Sequence, residues 1–304
     1  MLKPRILNLL VVLAAVLFPV AIFFLPDWGW AILMSAVIGV AAWEWAGLAQ
    51  FGKKGRLAYG LGLFAGLTAF WWFDIFNRGV WFGLLYPGLL YPDPDFPFLA
   101  QCYAFIILVF WFVVVPLWLR YRWPLKGVMG LVVGLFALIP AWWVANWGLA
   151  NIFIPCIDCN AANVANRVVG FFIMTIAGVA EIGAHSAGQK FGKHQLAPAI
   201  SPGKTWEGVA GGVIAVFFYL CVIFVPMGYS GEHQVFTYLF LAVILTATCV
   251  LGGLFGSLLK RQANVKDSSN LLPGHGGIHG LIGSLLALLG VLPALMAAAS
   301  LLSH

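Results

Sequence analysis

The 304 residues carry a formal net charge of +6, and 62% of them are hydrophobic while only 9% are charged; the mean hydropathy is +0.98. A water-soluble globule of this size has no interior large enough for so much apolar surface, which excludes one. The apolar runs are continuous for about twenty residues, which excludes a membrane β-barrel with its alternating strands and leaves an all-α polytopic membrane protein.

In chain order, Lys3 and Arg5 precede a first span over 6–25. It has no small-residue cleavage site and more membrane follows at once, so it is expected to be an anchor and not a removed signal peptide. A second span over 28–50, set off by Pro26 and Asp27, holds Glu44 between Trp43 and Trp45. An acid inside a span is a functional candidate; a carboxylate at the interface beside two amphipathic indoles is the equal alternative. The loop Lys53, Lys54, Gly55, Arg56 leads to a third span over 57–74. The connection 75–98 carries Asp93, Asp95 and four prolines, and its apolar piece Val80 to Leu90 is too short to cross, so it is expected along the interface.

The fourth span, 99–119, meets Arg120, Arg122 and Lys126. The fifth, 128–149, has Trp142, Trp143 and Trp147 near one end, which reads as an aromatic belt. Cys156 and Cys159 lack the further ligands a metal needs and the surroundings of a redox pair, and are expected as a loop disulfide or two idle thiols. Cys102, Cys221 and Cys249 lie in spans and read as small apolar fillers. The sixth span, 168–188, holds Glu181, His185 and Ser186 and gives way to Lys190, Lys193, His194 and Lys204. Spans seven and eight, 208–227 and 235–256, precede a polar loop and a ninth span over 281–302. The organisation is thus 1–150, with five spans, and 151–304, with the polar motifs.

Nine spans put Lys3/Arg5, Lys53/Lys54/Arg56, Arg120/Arg122/Lys126, Lys190/Lys193/Lys204 and Lys260/Arg261/Lys266 on one side. The positive-inside rule makes that side cytosolic, with the N-terminus cytosolic and the C-terminus external. The basic residues are dispersed between spans, which argues against a nucleic-acid partner and for contact with anionic membrane lipid.

The densest polar stretch runs from Ser257 through Lys260, Arg261, Lys266 and Asp267 to Pro273, Gly274, His275, Gly276 and Gly277. Lys and Arg supply donors to phosphate oxygens, the glycines let backbone N–H groups approach an anion, and an acid can help hold a cation. A basic loop that merely anchors the preceding helix is the competing reading. A second polar cluster, from Phe191, Gly192, Lys193 and His194 through Ser201, Lys204, Thr205 and Glu207, favours a phosphate site.

The pattern Ser-x-x-Lys-Arg-x4-Lys-Asp-x5-Pro-Gly-His-Gly-Gly resembles the signature of the phosphatidate cytidylyltransferase family, the CDP-diacylglycerol synthases. The 191–208 cluster and Trp43-Glu44-Trp45 resemble it too, so the likeness covers most of the chain. It implies the reaction CTP + phosphatidate to CDP-diacylglycerol + diphosphate in phospholipid biosynthesis, at a bacterial-type inner (plasma) membrane with cytosolic active-site loops. By resemblance Lys266, Asp267 and His275 are catalytic. Ser201, Lys204, Thr205, Lys260, Arg261, Gly276 and Gly277 bind substrate, and Mg²⁺ is the cofactor.

The departures fall on acids. Where the family signature continues as Asp-Arg-x-Asp, this chain has Gly280, Leu281 and Gly283; where the family has Gly-Asp-x-x-Glu-Ser, it has Gly253 and Gly256; and a family Asp corresponds to Glu181. Of the matching acids only Asp267 and Glu181 remain as metal ligands. Mg²⁺ demands oxygen ligands that a glycine side chain cannot supply, so turnover is expected to be lost or strongly reduced. Close helix packing is the alternative account of these glycines. His279, a lone histidine without partners, is not expected to be a ligand. Three functions compete: an active transferase with altered metal ligation, a silent member binding anionic lipid or nucleotide, and, with least support, a transporter. A homodimer stays open.

Overall fold

The computed structural model describes residues 25–76, 105–148, 159–225, 234–265, 268, 283–292 and 294–295. Among these the chain is helical apart from one small hairpin. Helix α1 (Asp27–Leu48) and α2 (Lys53–Phe76) form an antiparallel pair. Helix α3 (Phe105–Tyr121) and α4 (Gly127–Trp143) follow. Helix α5 (Cys159–Phe191) leads into strands β1 (Gln195–Ala197) and β2 (Ser201–Thr205), then α6 (Trp206–Phe224), α7 (Gln234–Gln262) and α8 (Gly283–Leu292). Among the described residues four helices are long and apolar enough to cross a membrane: Trp28–Leu48, Gly127–Asn146, Trp206–Phe224 and Gln234–Gln262. The expected first span and the interfacial piece at 80–90 lie outside the described residues, as do Cys102 and Cys156.

Among the described residues two π-helical turns interrupt the helices, one of them just before a proline. A π-helical turn at Phe110–Val114 precedes Pro116, and a second, Val144–Gly148, follows Pro140. Proline has no N–H to give the ladder and crowds the carbonyl four residues back, and a widened turn is one way to accommodate that.

The first half is held by indole hydrogen bonds that cross from α1 to α4 or to the turn after it. Trp45 donates to the Gly130 carbonyl (2.7 Å), Trp142 to Ser35 Oγ (2.8 Å) and Trp30 to the Ala145 carbonyl (3.0 Å). Trp142 and Trp143 are therefore buried in the core, 1% and 7% exposed, and do not form the expected interfacial belt. An indole has an N–H to satisfy, and a partner on a neighbouring helix draws it inward as well as a headgroup would.

In the second half α5 packs along α6 through facing small residues. A Cβ on Gly183 would stand 2.5 Å from Ala215 Cβ and 2.9 Å from the Gly211 carbonyl, and one on Gly211 would stand 2.9 Å from the Gly183 carbonyl. With no side chain at either position, the two backbones approach closely, as helices do where lipid offers no hydrophobic drive to association.

Four basic loops gather at one end of the bundle. Gln262, at the end of α7, donates to the Trp123 carbonyl (2.7 Å) and accepts from Leu125 N (3.1 Å), and its own carbonyl accepts from Gln50 (3.1 Å). Arg261 Nε donates to the Ile200 carbonyl in the hairpin turn (3.4 Å). The loops near Lys53, Arg122, Lys193 and Lys260 thus share one end, as the charge pattern requires.

Candidate functional site

The polar cluster after the sixth span, for which the sequence offers no strand, forms a small hairpin of β1 and β2. It pairs antiparallel, Gln195 with Thr205 and Ala197 with Ser201, with a register irregularity between. His194 and Glu207 close its base. The His194 ring Nδ1 lies 2.6 Å from Glu207 Oε1, the His194 backbone N–H donates to the same carboxylate at 3.3 Å, and Trp206 N donates back to the His194 carbonyl. Thr205 Oγ1 accepts from Gly208 N (3.1 Å), which makes it the N-cap of α6. These contacts fix β2 between α5 and α7 and set the position of Lys204.

Around Lys204 lie two adjoining cavities. One of about 120 Å³ is lined by Glu181, Lys204, Gly253, Gly256, Ser257, Lys260 and Gly283. One of about 680 Å³, lying between α5, the hairpin, α6 and α7, shares Glu181 and Lys204 and is otherwise largely apolar. Four helices and a strand meet here, so residues far apart in sequence come together, among them all three described glycines at which acids were expected. Ser284 of α8 donates to Glu181 Oε1 at 2.6 Å, and Ser257 donates to the Gly253 carbonyl at 2.8 Å.

The Lys204 amine lies against Gly253, in the space that a side chain there would enter. Burial pushes the Lys204 pKa down from its ordinary value; the Glu181 carboxylate pulls it back up and Lys260 pushes it down further. An anion entering the cavity would favour its charged form.

The expected substrate-binding set separates. Lys204 and Lys260 line the small cavity, while Arg261 reaches the hairpin turn and braces the scaffold. Thr205 lines the larger cavity and caps α6, and Ser201 opens β2 without lining either cavity. Lys260 and Arg261, expected in a loop, form the last turn of α7, which runs six residues beyond the expected end of the span. Lys266, Asp267, His275, Gly276, Gly277, Gly280, Leu281 and His279 lie outside the described residues.

Mg²⁺ needs several hard oxygen ligands in near-octahedral array. Among the described residues no three His, Cys, Asp or Glu side chains gather where they could hold a metal. Glu181 is the one described carboxylate lining the small cavity, and two lysines face it. A lysine amine at Gly253 stands where oxygen ligands would be needed, so the described residues do not fit a divalent cation.

Two hydrogen bonds escaped the sequence reading, that of Ser268 to Glu44 and that of Ser284 to Glu181. Glu44 is fully buried and accepts a hydrogen bond from Ser268 at 2.8 Å across 224 residues of sequence, so it faces the polar motif and not the membrane interface. Ser284 stands one residue past the expected signature, at the start of the last span. No local signal marks either contact.

The sequence model of the cytidylyltransferase family matches residues 3–299. A phosphatidate cytidylyltransferase from Pseudomonas aeruginosa is 33% identical over 316 residues, covering 98% of each chain. Another from Haemophilus influenzae is 31% identical over 296 residues, covering 94% of this chain and 96% of the relative. One from Bacillus subtilis is 39% identical over 108 residues, covering 36% of this chain and 39% of the relative.

Proposed function

The chain belongs to the cytidylyltransferase family, and on that premise we propose that it binds CTP and phosphatidate beside Lys204 and forms CDP-diacylglycerol and diphosphate only very slowly, or not at all. The observation that carries this reading is the small cavity, where Lys204 and Lys260 meet Glu181 while Gly253, Gly256 and Gly283 contribute no side chain.

In such a transfer a phosphate oxygen of the lipid attacks the α-phosphorus of CTP, and the bond to the β-phosphate breaks to release diphosphate. Two anions must approach, so the site has to neutralise charge that concentrates in the transition state. Lys204 and Lys260 supply two positive groups for ground-state binding. The carboxylates that would fix further cationic charge are replaced by glycine at the described positions. Each ~1.4 kcal/mol of missing transition-state stabilisation lowers the rate tenfold, so the loss of several such contacts removes orders of magnitude. A binding member of the family with no turnover at all is the second reading, and the lysine amine seated at Gly253 favours it. The gathering of the basic loops at one end supports a multi-pass inner-membrane protein whose substrate loops face the cytosol.

The test is CTP-dependent diphosphate release from phosphatidate by the purified chain. It is compared with a variant combining Gly253→Asp, Gly256→Glu, Gly280→Asp, Leu281→Arg and Gly283→Asp, across Mg²⁺ concentrations. The restored variant is expected to turn over at least about a hundredfold faster, equivalent to ~2.7 kcal/mol. An unaltered chain that is already as fast refutes the reading.

A further inference from the structure

Helix α7 ends in three side chains that go three ways. Lys260 lines the small cavity, Arg261 donates to the Ile200 carbonyl of the hairpin turn, and Gln262 reaches the loop between α3 and α4. Successive residues of an α-helix stand about 100° apart around its axis, so the three assignments hold together only while the rotation of this turn is fixed. Lys260 does not fix it, because its amine makes no hydrogen bond to a described residue. From within, Asn264 takes the left-handed conformation (φ 55°), Val265 N donates to the Lys260 carbonyl (2.9 Å) and Asn264 N to the Arg261 carbonyl (3.1 Å). This is a Schellman end, which satisfies carbonyls that a helix terminus leaves over.

From outside, Gln262 uses both ends of its amide. Its Nε2 donates to the carbonyls of Trp123 (2.7 Å) and Arg122 (3.3 Å), and its Oε1 accepts from Leu125 N (3.1 Å). The loop it grips is itself tied down, by Trp118 Nε1 on the Trp123 carbonyl (2.7 Å) and by Gly127 N on the Ala49 carbonyl (3.0 Å). That loop presents two acceptors and one donor, a set that a primary amide complements and that neither a carboxylate nor an ammonium does. Resting on the reading that Lys260 serves an anion site, we propose that Gln262 is a positioning residue for the transfer: it sets the rotation of the last turn of α7 and so holds the Lys260 amine in the small cavity with Lys204. The first half of the chain, which lends that cavity no described residue, thus bears on the site through Gln262.

The test is amine footprinting of the full chain in detergent with an acetylating reagent, read lysine by lysine by mass spectrometry well below the melting temperature. Gln262→Ala, and the isosteric Gln262→Glu that loses both donated bonds, should each speed acetylation of Lys260 by at least about threefold, the change that one net hydrogen bond makes to a local opening. Lys204, held by the hairpin, and the exposed Lys190 should keep the rates of the unaltered chain. A merely structural glutamine gives another pattern, all three lysines moving together, and that result overturns the proposal, as does a Lys260 rate that neither variant moves. Should both variants fail to fold, hydrogen exchange of the unaltered chain decides. The Leu125, Asn264 and Val265 amides are expected to be protected, and exchange at the rate of a frayed helix end overturns the proposal.

In titration calorimetry with dioctanoyl phosphatidate and CTP, Gln262→Ala should weaken binding by about threefold or more, and adding it to Lys260→Gln should cost nothing further. Additive losses would break the link between the two residues. A chain whose Lys260 is released by Gln262→Ala but that binds neither ligand keeps the positioning role and loses the transferase reading. A chain that binds both ligands with Lys260 indifferent to Gln262 keeps the transferase reading and loses the positioning role.

Discussion

Ser268 Oγ donates a hydrogen bond to Glu44 Oε2 at 2.8 Å, joining the segment just after Lys266 and Asp267 to the buried face of α1. A carboxylate in a membrane core is costly unless it is paired, and a hydrogen bond to a charged group contributes about 1.5–3 kcal/mol. A double-mutant cycle of Glu44→Gln and Ser268→Ala, read by thermal unfolding in detergent, should give a coupling energy in that range. Additive single effects would show that the contact contributes nothing.

The close approach of α5 and α6 makes a sharper prediction. Gly183→Leu or Gly211→Leu must push the helices apart, because backbone and not a movable side chain stands 2.9 Å from the added Cβ. Overpacking of this kind costs about 1–3 kcal/mol, occasionally more. Gly178, one turn and a residue earlier on α5, has nothing within 4 Å of an added Cβ. Gly178→Ala should therefore leave thermal stability unchanged or raise it by up to about 1 kcal/mol. If all three variants behave alike, the packing account is wrong.

Thr205 joins site and scaffold through its cap on Gly208 N. Thr205→Ala should cost about 1 kcal/mol of stability, while Thr205→Ser should keep most of it. Equal melting temperatures for the two variants would mean that the cap carries no weight.

Lys204 sets a pH dependence whose sign follows from its depressed pKa. Between its folded-state value and the ordinary 10.5, the folded chain holds fewer protons at this site than the unfolded chain. Stability therefore rises with pH through that window, and below it the cost of burying the ammonium is fully present. The melting temperature of the unaltered chain should climb on the alkaline side up to pH about 10.5, and Lys204→Met should flatten the climb. Parallel curves for the two proteins would remove Lys204 as the source.

Apolar runs made the helices legible, because about twenty continuous apolar residues leave no other structure in a membrane. Helix ends were not legible in the same way: Lys260 and Arg261 end the hydropathy signal of α7 while its hydrogen bonding runs on to Gln262. The positions of Gly253, Gly256 and Gly283 could be read from the family resemblance, since a motif fixes its own register. Their convergence with Lys204 could not, because the hairpin that delivers the lysine has no periodic pattern to announce it. Trp142 shows a further limit: an indole reads equally as belt or core until its partner Ser35 is known.

The small cavity also has room to spare at two of its glycines. A Cβ on Gly283 would meet only the Gly252 carbonyl at 3.7 Å, an ordinary contact, and the nearest obstacle at Gly253 is the far end of a flexible lysine. The main chain at these two positions still has the shape that a larger residue would need. A larger side chain could therefore enter the cavity from either of these two helices without any refolding of the bundle.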